Sequence, residues 1–330
     1  MDIHKKFTVA VAKDVEGKEI AQGKMKNCKE EMAQFLAPFK PEETSIVIES
    51  SSVWEHIYTL LESLGYKTKL ANPLKVKAIA HAKIKNDKVD ASMLADLLRA
   101  NLIPESHVPP VETRRLREFT RSRKMIVKQA TQVINRIHAH FTRRGIVMPR
   151  TTFCKSVVAF VKERAIDDAV LGSYVAILES LRVQLSVIDT KMQKMAQESE
   201  DAKLLMTIPG IGTIRAMSLI AEIDNIRRFP SEKHFSSYAG LVPTVRQSGS
   251  VTHVGRVSLQ ANMPLKNALV QAALTAAHMK RANVLQECYC KLVPVKGKQK
   301  ALIAAARKLS GILYAMLQSK QEFSYSYSSI

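Results

Sequence analysis

Two aspartates three residues apart, Asp87 and Asp90, open a run of apolar residues with helical spacing. On a helix they lie on one face, one turn apart, close to its first turn. One possible role is capping, in which Asp87 accepts backbone N–H groups and Asp90 complements the positive end of the helix dipole. The other is ligation of a divalent cation by a pair of carboxylates. Other carboxylates in the chain have to decide between the two.

Two further acids stand where such a site needs them. Asp2 directly precedes the first predicted strand, and Glu49 ends the apolar run SIVIE. In a sheet of the ribonuclease-H type, metal ligands come from the first strand, a central strand and a late helix. Four carboxylates suit two hard cations about 4 Å apart, Mg²⁺ or Mn²⁺, which stabilise the attacking and leaving oxygens of phosphoryl transfer.

The second candidate for chemistry is the segment RQSGSVTHVGR at 246–256. Ser248 is a potential nucleophile, and Arg246 and Arg256 can neutralise a phosphate close to it. Gly249 would let the backbone approach. Ser-Gly is also common in turns, so a purely structural role for Ser248 is the alternative.

Strand and helix patterns alternate through residues 1–108, which we expect to form the carboxylate-bearing domain. The turn DVEGK separates two strand patterns and predicts a β-hairpin. The whole order predicts a mixed α/β sheet. The predicted elements are strands at 7–12 and 19–25, a helix at 29–38, a strand at 45–49, a helix at 53–64, a strand at 66–73 and helical stretches within 74–100.

The charge balance points to a polyanionic partner, with a membrane surface as the lesser alternative. Lys and Arg number 50 against 30 Asp and Glu, which gives a net charge of +20. Residues 101–150 hold eleven basic and three acidic residues, a net of +8. We interpret this cluster, with Arg114, Arg115 and Arg121, as a phosphate-binding surface; a solvated helix face explains part of it.

Composition also bears on the compartment. No membrane-spanning run or signal sequence is predicted. The four cysteines lack the spacing of a zinc site and are expected to be reduced thiols. We therefore expect a cytoplasmic protein.

Residues 109–200 are expected to form a helical arm. Apolar residues from Leu171 to Met195 alternate at spacings of three and four, the pattern of a coiled-coil seam. Its partner is either the basic helix at about 113–142 or a second protomer. We expect the two helices to form a projecting coiled coil that dimerises.

Residues 201–330 form the third predicted domain, mostly helical. It opens with P-G-I-G between two apolar helices, the pattern of a helix-hairpin-helix. Gly210 and Gly212 would let backbone N–H groups approach a phosphate. A plain helical hairpin using Pro-Gly is the alternative.

Taken together, these motifs carry a family resemblance that runs collinearly over nearly the whole chain. The segments that carry it are MDIHK, IESSSVWEHIYTLLESLGYKTKLANPLKVKAIA, KNDKVDASMLADLL, IPGIGTIRAMSLIAEI and FSSYAGLVPTVRQSGS. They resemble the DEDD-type insertion-sequence transposases, relatives of the Piv site-specific invertase. The resemblance implies a RuvC-like N-terminal domain, a coiled-coil arm and a C-terminal transposase domain.

It also implies roles for single residues. The family's four acids would correspond to Asp2, Glu49, Asp87 and Asp90, and its nucleophilic serine to Ser248. Members recombine bacterial DNA through a phosphoserine link, and several are guided by a structured RNA. A cytoplasmic, nucleoid-associated protein that binds DNA, a guide RNA and a second copy of itself is therefore expected.

These observations favour a Mg²⁺-dependent DNA recombinase in which Ser248 attacks the phosphate. Two alternatives remain. One is a junction-resolving nuclease in which metals activate water and Ser248 is a turn residue. The other is a nucleic-acid-binding relic of a transposase that makes no strand breaks.

Overall fold

The computed structural model of the protein describes residues 1–80, 86–150, 153–248, 251–257 and 260–324. The chain divides into two compact units, Met1–Val108 and Pro109–Ile330. A boundary between an arm and a third domain at residue 200 stays a prediction.

The first unit contains strands and helices in the predicted alternation. The DVEGK turn does form a hairpin, because β2 and β3 pair antiparallel on either side of it. Strands β4 and β5 pair in parallel, which confirms a mixed α/β arrangement. The elements are β1 (Asp2–Ile3), β2 (Phe7–Lys13), β3 (Glu19–Lys26), α1 (Lys29–Leu36), β4 (Ser45–Glu49), α2 (Trp54–Ser63), β5 (Lys67–Ala71), α3 (Pro73–Ile79) and α4 (Asp87–Arg99).

Strand β1 lies between β2 and β4. It pairs antiparallel with β2, with Asp2 opposite Val9. On its other side the Met1 amino group donates a hydrogen bond to the carbonyl of Val47 in β4, at 2.9 Å. Strands β1, β2 and β3 thus form one sheet, β4 and β5 form a second, and the Met1 hydrogen bond connects the two. Helix α4 packs against β1, β2 and β4, so its first turn is brought to the strand that bears Asp2.

The second unit is mainly helical, with one hairpin. Its elements are α5 (Val111–Thr142), α6 (Lys155–Arg164), α7 (Ala169–Glu198), α8 (Glu200–Met206), α9 (Thr213–Ile223), a 3₁₀ turn (Ile226–Arg228), α10 (Glu232–Tyr238), β6 (Pro243–Ser248), β7 (Val251–Val257), α11 (Met263–Ala277) and α12 (Val284–Ser319). Helices α8 and α9 flank the P-G-I-G turn, as predicted. Strands β6 and β7 pair antiparallel, an element that the sequence reading had treated only as a turn.

The heptad seam of α7 packs within its own chain. Leu171 and Leu178 are buried in one cluster with Val133, Ile137 and Phe141, all from α5. The C-terminal part of the seam, with Met192, joins the main core of α8, α9, α11 and α12. The basic helix is thus a partner of the seam. Dimerisation through the same helix stays a prediction.

Helix α7 is also the one helix in the described ranges that is long and apolar enough to cross a membrane by composition. Two of its charged residues, however, form ion pairs with neighbouring helices: Asp189 with Arg123 of α5, and Glu179 with Lys162 of α6. Such contacts are typical of a helix packed within a protein. Each of the four cysteines is free, as expected.

Candidate active site

Three side chains from two distant parts of the chain converge in the first unit. The Nε2 atom of His4 lies 3.1 Å from Oδ2 of Asp2 and 3.2 Å from Oδ2 of Asp87. One ligand atom from each of the three lies within 4.8 Å of the other two. Asp2 and Asp87 are separated by 85 positions in the sequence, so the fold, and not the local chain, brings them together.

Local structure explains how Asp87 is presented. Asn86 is the N-cap of α4, and its Oδ1 accepts a hydrogen bond from the backbone N–H of Val89 at 2.8 Å. The capping role that the sequence suggested for Asp87 is therefore wrong, because Asn86 supplies the capping oxygen. Asp87 and Asp90 occupy the first turn, where negative charge is favoured by the helix dipole. The carboxylate of Asp87 is left available, and 46% of its side chain is exposed.

His4 is the member of this cluster that the sequence reading missed. It follows Asp2 by two residues, and residues at this spacing along an extended chain point to the same side. Its ring stacks on that of Phe7 with centroids 4.5 Å apart, which fixes the imidazole beside the two aspartates. The spacing Asp-x-His was the available signal.

The electrostatics of Asp2 show that the predicted acids act on one another. Burial raises the pKa of Asp2, the charge of His4 opposes this, and the charges of Asp87 and Asp90 raise it further. Burial lowers the pKa of the Met1 amino group to about 6, while the charges of Asp2 and Glu49 act in the opposite direction. Glu49 ends β4, next to β1. Asp87 and Asp90 thus act on Asp2, and Glu49 acts on the neighbouring Met1 amino group.

This donor set fits a divalent cation. Carboxylate oxygens are preferred by hard cations, and an imidazole suits Mn²⁺ better than Mg²⁺. A cation would also offset the charges of Asp87 and Asp90, which add to the effect of burial in raising the pKa of Asp2. Asp2, Asp87 and His4 are the residues whose atoms already lie close enough to share an ion.

The predicted nucleophile lies in the second unit. Ser248 is the last residue of β6 and pairs with Val251 of β7, so its backbone stands at the tip of a hairpin. Arg246 pairs with His253, and Arg256 lies on β7. The side chains of Ser248, Arg246 and Arg256 lie outside the described part of the structure, as does Gly249.

The first glycine of the P-G-I-G turn, Gly210, is required by close packing against helix α11. Gly210 has φ = +85°, and a Cβ there would stand 2.5 Å from the carbonyl oxygen of Ala272 in α11. Only glycine fits this close approach to a neighbouring backbone. A Cβ at Gly212, in contrast, would meet no atom within 4 Å. Of the two, Gly212 is therefore the one with space for a ligand beside it, and phosphate contact by either stays a prediction.

The arginines of the basic helix α5 are largely engaged within the protein. Arg121 donates two hydrogen bonds to the carboxylate of Glu222, from Nε at 2.8 Å and from Nη2 at 2.9 Å. Arg123 pairs with Asp189, and Arg114 is buried. Arg115 is exposed. The excess of charge that the local sequence suggested is therefore partly neutralised by acids from α7 and α9.

Glu222 is a further residue that sequence reasoning did not identify. Its side chain is 2% exposed and also accepts a hydrogen bond from Nδ2 of Asn262 at 2.9 Å. Asn262 in turn is the N-cap of α11, accepting the backbone N–H of Leu265. Arg117 donates to the carbonyls of Ala221 and Glu222 at the end of α9. These contacts tie α5 to α9 and α11.

Comparison with protein families adds evidence of a different kind. Residues 1–144 match a family model described as a transposase of the DEDD type. Residues 202–290 match a second model, described as the transposase IS116/IS110/IS902 family. The first match includes all four predicted acids, and the second includes the P-G-I-G turn and Ser248.

Similar proteins carry the same kind of description. The chain is 24% identical to the transposase for insertion sequence element IS1111A of Coxiella burnetii, over 84% of this chain and 79% of that protein. It is 27% identical to the transposase for insertion sequence element IS1328 of Yersinia enterocolitica, over 74% and 73%. It is also 26% identical to the pilin gene-inverting protein of Moraxella bovis, over 84% and 81%.

Proposed function

Since the chain belongs to the IS116/IS110/IS902 family of insertion-sequence transposases, we propose that it cuts and rejoins DNA through a covalent phosphoserine intermediate on Ser248. The observation that carries the proposal is the convergence of Asp2 and Asp87, with His4 between them, in the first unit. A carboxylate cluster of this kind is a common site of phosphoryl-transfer chemistry. The similarity to a gene-inverting protein supports recombination over simple cleavage.

The proposed reaction consists of two successive displacements at phosphorus, each replacing one phosphoester bond with another. In the first, the hydroxyl oxygen of Ser248 bonds to the scissile phosphorus, its proton is released, and the bond to one deoxyribose oxygen breaks; that oxygen leaves as a hydroxyl after taking up a proton. In the second, a hydroxyl of another strand displaces Ser248. One phosphoester bond forms and one breaks in each exchange, so no external energy source is needed.

Residues of this chain divide the work in the proposal. Asp2, Glu49, Asp87 and Asp90 would hold divalent cations, Mg²⁺ or Mn²⁺, with His4 beside them. A bound cation would stabilise the negative charge that develops on the phosphoryl oxygens and favour loss of the serine proton. Arg246 and Arg256, on the same hairpin as Ser248, would balance the charge of the phosphate.

The partners follow from the same proposal. DNA is the substrate of a transposase, and the net charge of +20 favours binding to a polyanion. We infer that a structured guide RNA selects the DNA, as the resemblance to guided members suggests, and that the protein acts in the bacterial cytoplasm at the nucleoid.

Self-association is a further part of the proposal. Because the seam of α7 packs on α5, a second copy would have to use another face of α7. That helix exposes four large apolar residues: Val170, Ile177, Val183 and Val187. Exposed apolar side chains on one helix favour contact with another apolar surface. We infer a homodimer formed through this part of α7.

The test of the proposal is a search for protein covalently bound to DNA. The protein is incubated with Mg²⁺, a nicked suicide substrate carrying the ends of its element, and the flanking RNA. Proteolytic digestion and mass spectrometry should then find a nucleotide on the peptide containing Ser248. The adduct should be missing in Ser248→Ala and in Asp87→Asn.

A matched control separates metal ligation from helix structure. Asp96 lies on α4 like Asp87 and is equally exposed, at 46%, but it pairs with Lys13. Asp96→Asn should keep the adduct. Cleavage by Ser248→Ala at the wild-type rate would contradict the proposal and favour a nuclease in which water is the nucleophile.

A further inference from the structure

Helix α12 carries an exposed basic segment that the family assignment does not account for. Four lysines lie between positions 291 and 300, and all are exposed: Lys291, Lys296, Lys298 and Lys300. We call this segment, Lys291–Lys300, the lysine turn. From 288 to 321 the chain has seven basic residues and no acidic one. No carboxylate within this stretch of sequence can therefore neutralise the charge of the lysines.

The backbone presents these lysines outward. Gly297 has φ = +76° and interrupts α12, and Pro294 stands three residues earlier. A Cβ at Gly297 would meet no atom within 4 Å, so the turn faces open space. The helix on either side is anchored in the core, by Leu285 before the turn and by Ala301 after it. The lysine turn is therefore an exposed kink within α12, and the helix is anchored in the core on both sides of it.

The contrast with α5 makes this charge significant. Arg121 and Arg123 of α5 are paired with Glu222 and Asp189. None of the four lysines forms an ion pair with a carboxylate among the residues that the structure describes. The positive charge of these two arginines is thus neutralised within the protein, whereas the charge of the four lysines is not.

The side-chain chemistry of the segment indicates the ligand. Lysine is a flexible point charge that contacts phosphate without reading bases. The segment KLVPVKGKQK has no aromatic residue on which an unpaired base could stack, which argues against recognition of single strands or RNA loops. Contacts of this type suit the backbone of a duplex, whose phosphates recur regularly along each strand.

We propose that the lysine turn is a docking surface for the phosphate backbone of duplex DNA, independent of its sequence. The proposal rests on the proposed function, in that it assumes a protein that acts on DNA. In this proposal α12 contributes part of the affinity for DNA, which the sequence analysis attributes to the basic helix α5.

The experiment measures binding of the full-length protein to a duplex of arbitrary sequence by fluorescence anisotropy over a range of salt concentrations. The variant carries Lys296→Gln, Lys298→Gln and Lys300→Gln. The control carries Lys40→Gln, Lys162→Gln and Lys203→Gln, which removes the same charge from lysines paired with Glu43, Glu179 and Glu200. Both variants should keep the circular dichroism spectrum of the wild type.

We expect the slope of log affinity against log salt to become shallower by about 2 to 3 in the lysine-turn variant, since each lost phosphate contact removes about 0.9. The control slope should change by less than about 1. Equal slopes in the two variants would overturn the proposal, and so would a loss confined to a hairpin RNA measured in parallel.

Failure of the proposed function has a different signature. A wild-type protein without salt-dependent duplex binding would contradict both proposals. A wild-type protein that forms the Ser248 adduct, with an unchanged slope in the lysine-turn variant, would contradict the docking surface alone.

Discussion

Glu222 places a carboxylate in the interior of the second unit, among groups that hold it ionised. Burial opposes its ionisation, but hydrogen bonds from Arg121 and Asn262 and the charges of Arg121 and Arg117 keep its pKa below the ordinary glutamate value. Charge-assisted hydrogen bonds of this kind are stronger than neutral ones. A single side chain thus links three helices, α5, α9 and α11.

The lowered pKa predicts how stability depends on pH. A carboxyl group whose pKa is lower in the folded state stabilises the fold above its ordinary pKa, and this contribution is lost as pH falls through the lowered value. Glu222→Gln should therefore unfold more easily at neutral pH, by about 3 kcal/mol, because Arg121 and Arg117 lose their partner. The difference from the wild type should shrink as pH falls below about 4.

Urea unfolding followed by circular dichroism at neutral and acidic pH measures this difference. Glu232→Gln, a substitution at another glutamate of the same unit, is the control for loss of a carboxylate. A destabilisation of Glu222→Gln that stays constant with pH would mean that the charge of Glu222 is not the stabilising feature.

Helix α7 packs one apolar seam inside the protein and exposes other apolar residues at the surface. Val183 and Val187 are 59% and 61% exposed and lie one turn apart. If two copies associate there, placing a charge at each position would oppose burial in the interface. We expect Val183→Glu with Val187→Glu to reduce the molar mass of the particle to that of a monomer, as measured by light scattering.

The control for this variant adds the same charge elsewhere on α7. Gln193→Glu with Gln197→Glu changes two exposed residues that lie more than one turn beyond Val187 on the same helix, and it should leave the mass unchanged. A wild-type protein that is already monomeric, or an equal mass in both variants, would contradict dimerisation through this face.

Local sequence patterns predict several of these elements, but not the long-range pairs of charged side chains. The hairpin of β2 and β3, the two helices around P-G-I-G and the seam of α7 follow from local periodicity and turn residues, which the sequence displays directly. The partners of the arginines do not. Glu222 is 101 positions from Arg121, and Asp189 is 66 from Arg123. Pairing over such distances depends on tertiary packing, which local patterns do not encode.

The candidate site divides in the same way. Asp2 and Asp87 could be named from a pattern of acids at element ends, and the structure brings them together. His4 follows β1, and nothing in the local sequence distinguishes it from an ordinary surface histidine; its role depends on Asp87, which only the fold brings close. Asp87 is not the cap that its sequence position suggests, because Asn86, one residue earlier, occupies the N-cap position. The hairpin of β6 and β7 was missed because its polar residues give a weak strand signal.

The two units of the protein have separate cores. The carboxylate cluster lies in the first unit, whose core includes Met1, Ile3 and Ile48. The core of the second unit is formed mainly by α8, α9, α11 and α12. A ligand that binds only the cluster should therefore stabilise the first unit without protecting the second from local unfolding.

Hydrogen exchange with and without Mn²⁺ tests this expectation. Amide hydrogens in peptides from β1, β4 and α4 should exchange more slowly when the ion is bound. When the Mn²⁺ concentration is one hundred times its dissociation constant, the free energy of opening should rise by up to about 2.7 kcal/mol. Peptides from residues 109–330 should not change. Asp87→Asn should abolish the effect and Asp96→Asn should keep it; protection that is equal in both variants would place the ion elsewhere.

The close approach of Gly210 to the carbonyl of Ala272 has a consequence for the history of the gene. Insertion sequences spread as copies that then mutate independently. A copy whose product is no longer needed can lose Asp87 or Gly210 in either order. A copy retained for a folded protein without catalysis would keep glycine at 210 and tolerate change at 87. If Asp87 holds the metal as proposed, comparing these two codons among copies in one genome would therefore reveal whether selection has preserved the reaction or only the protein.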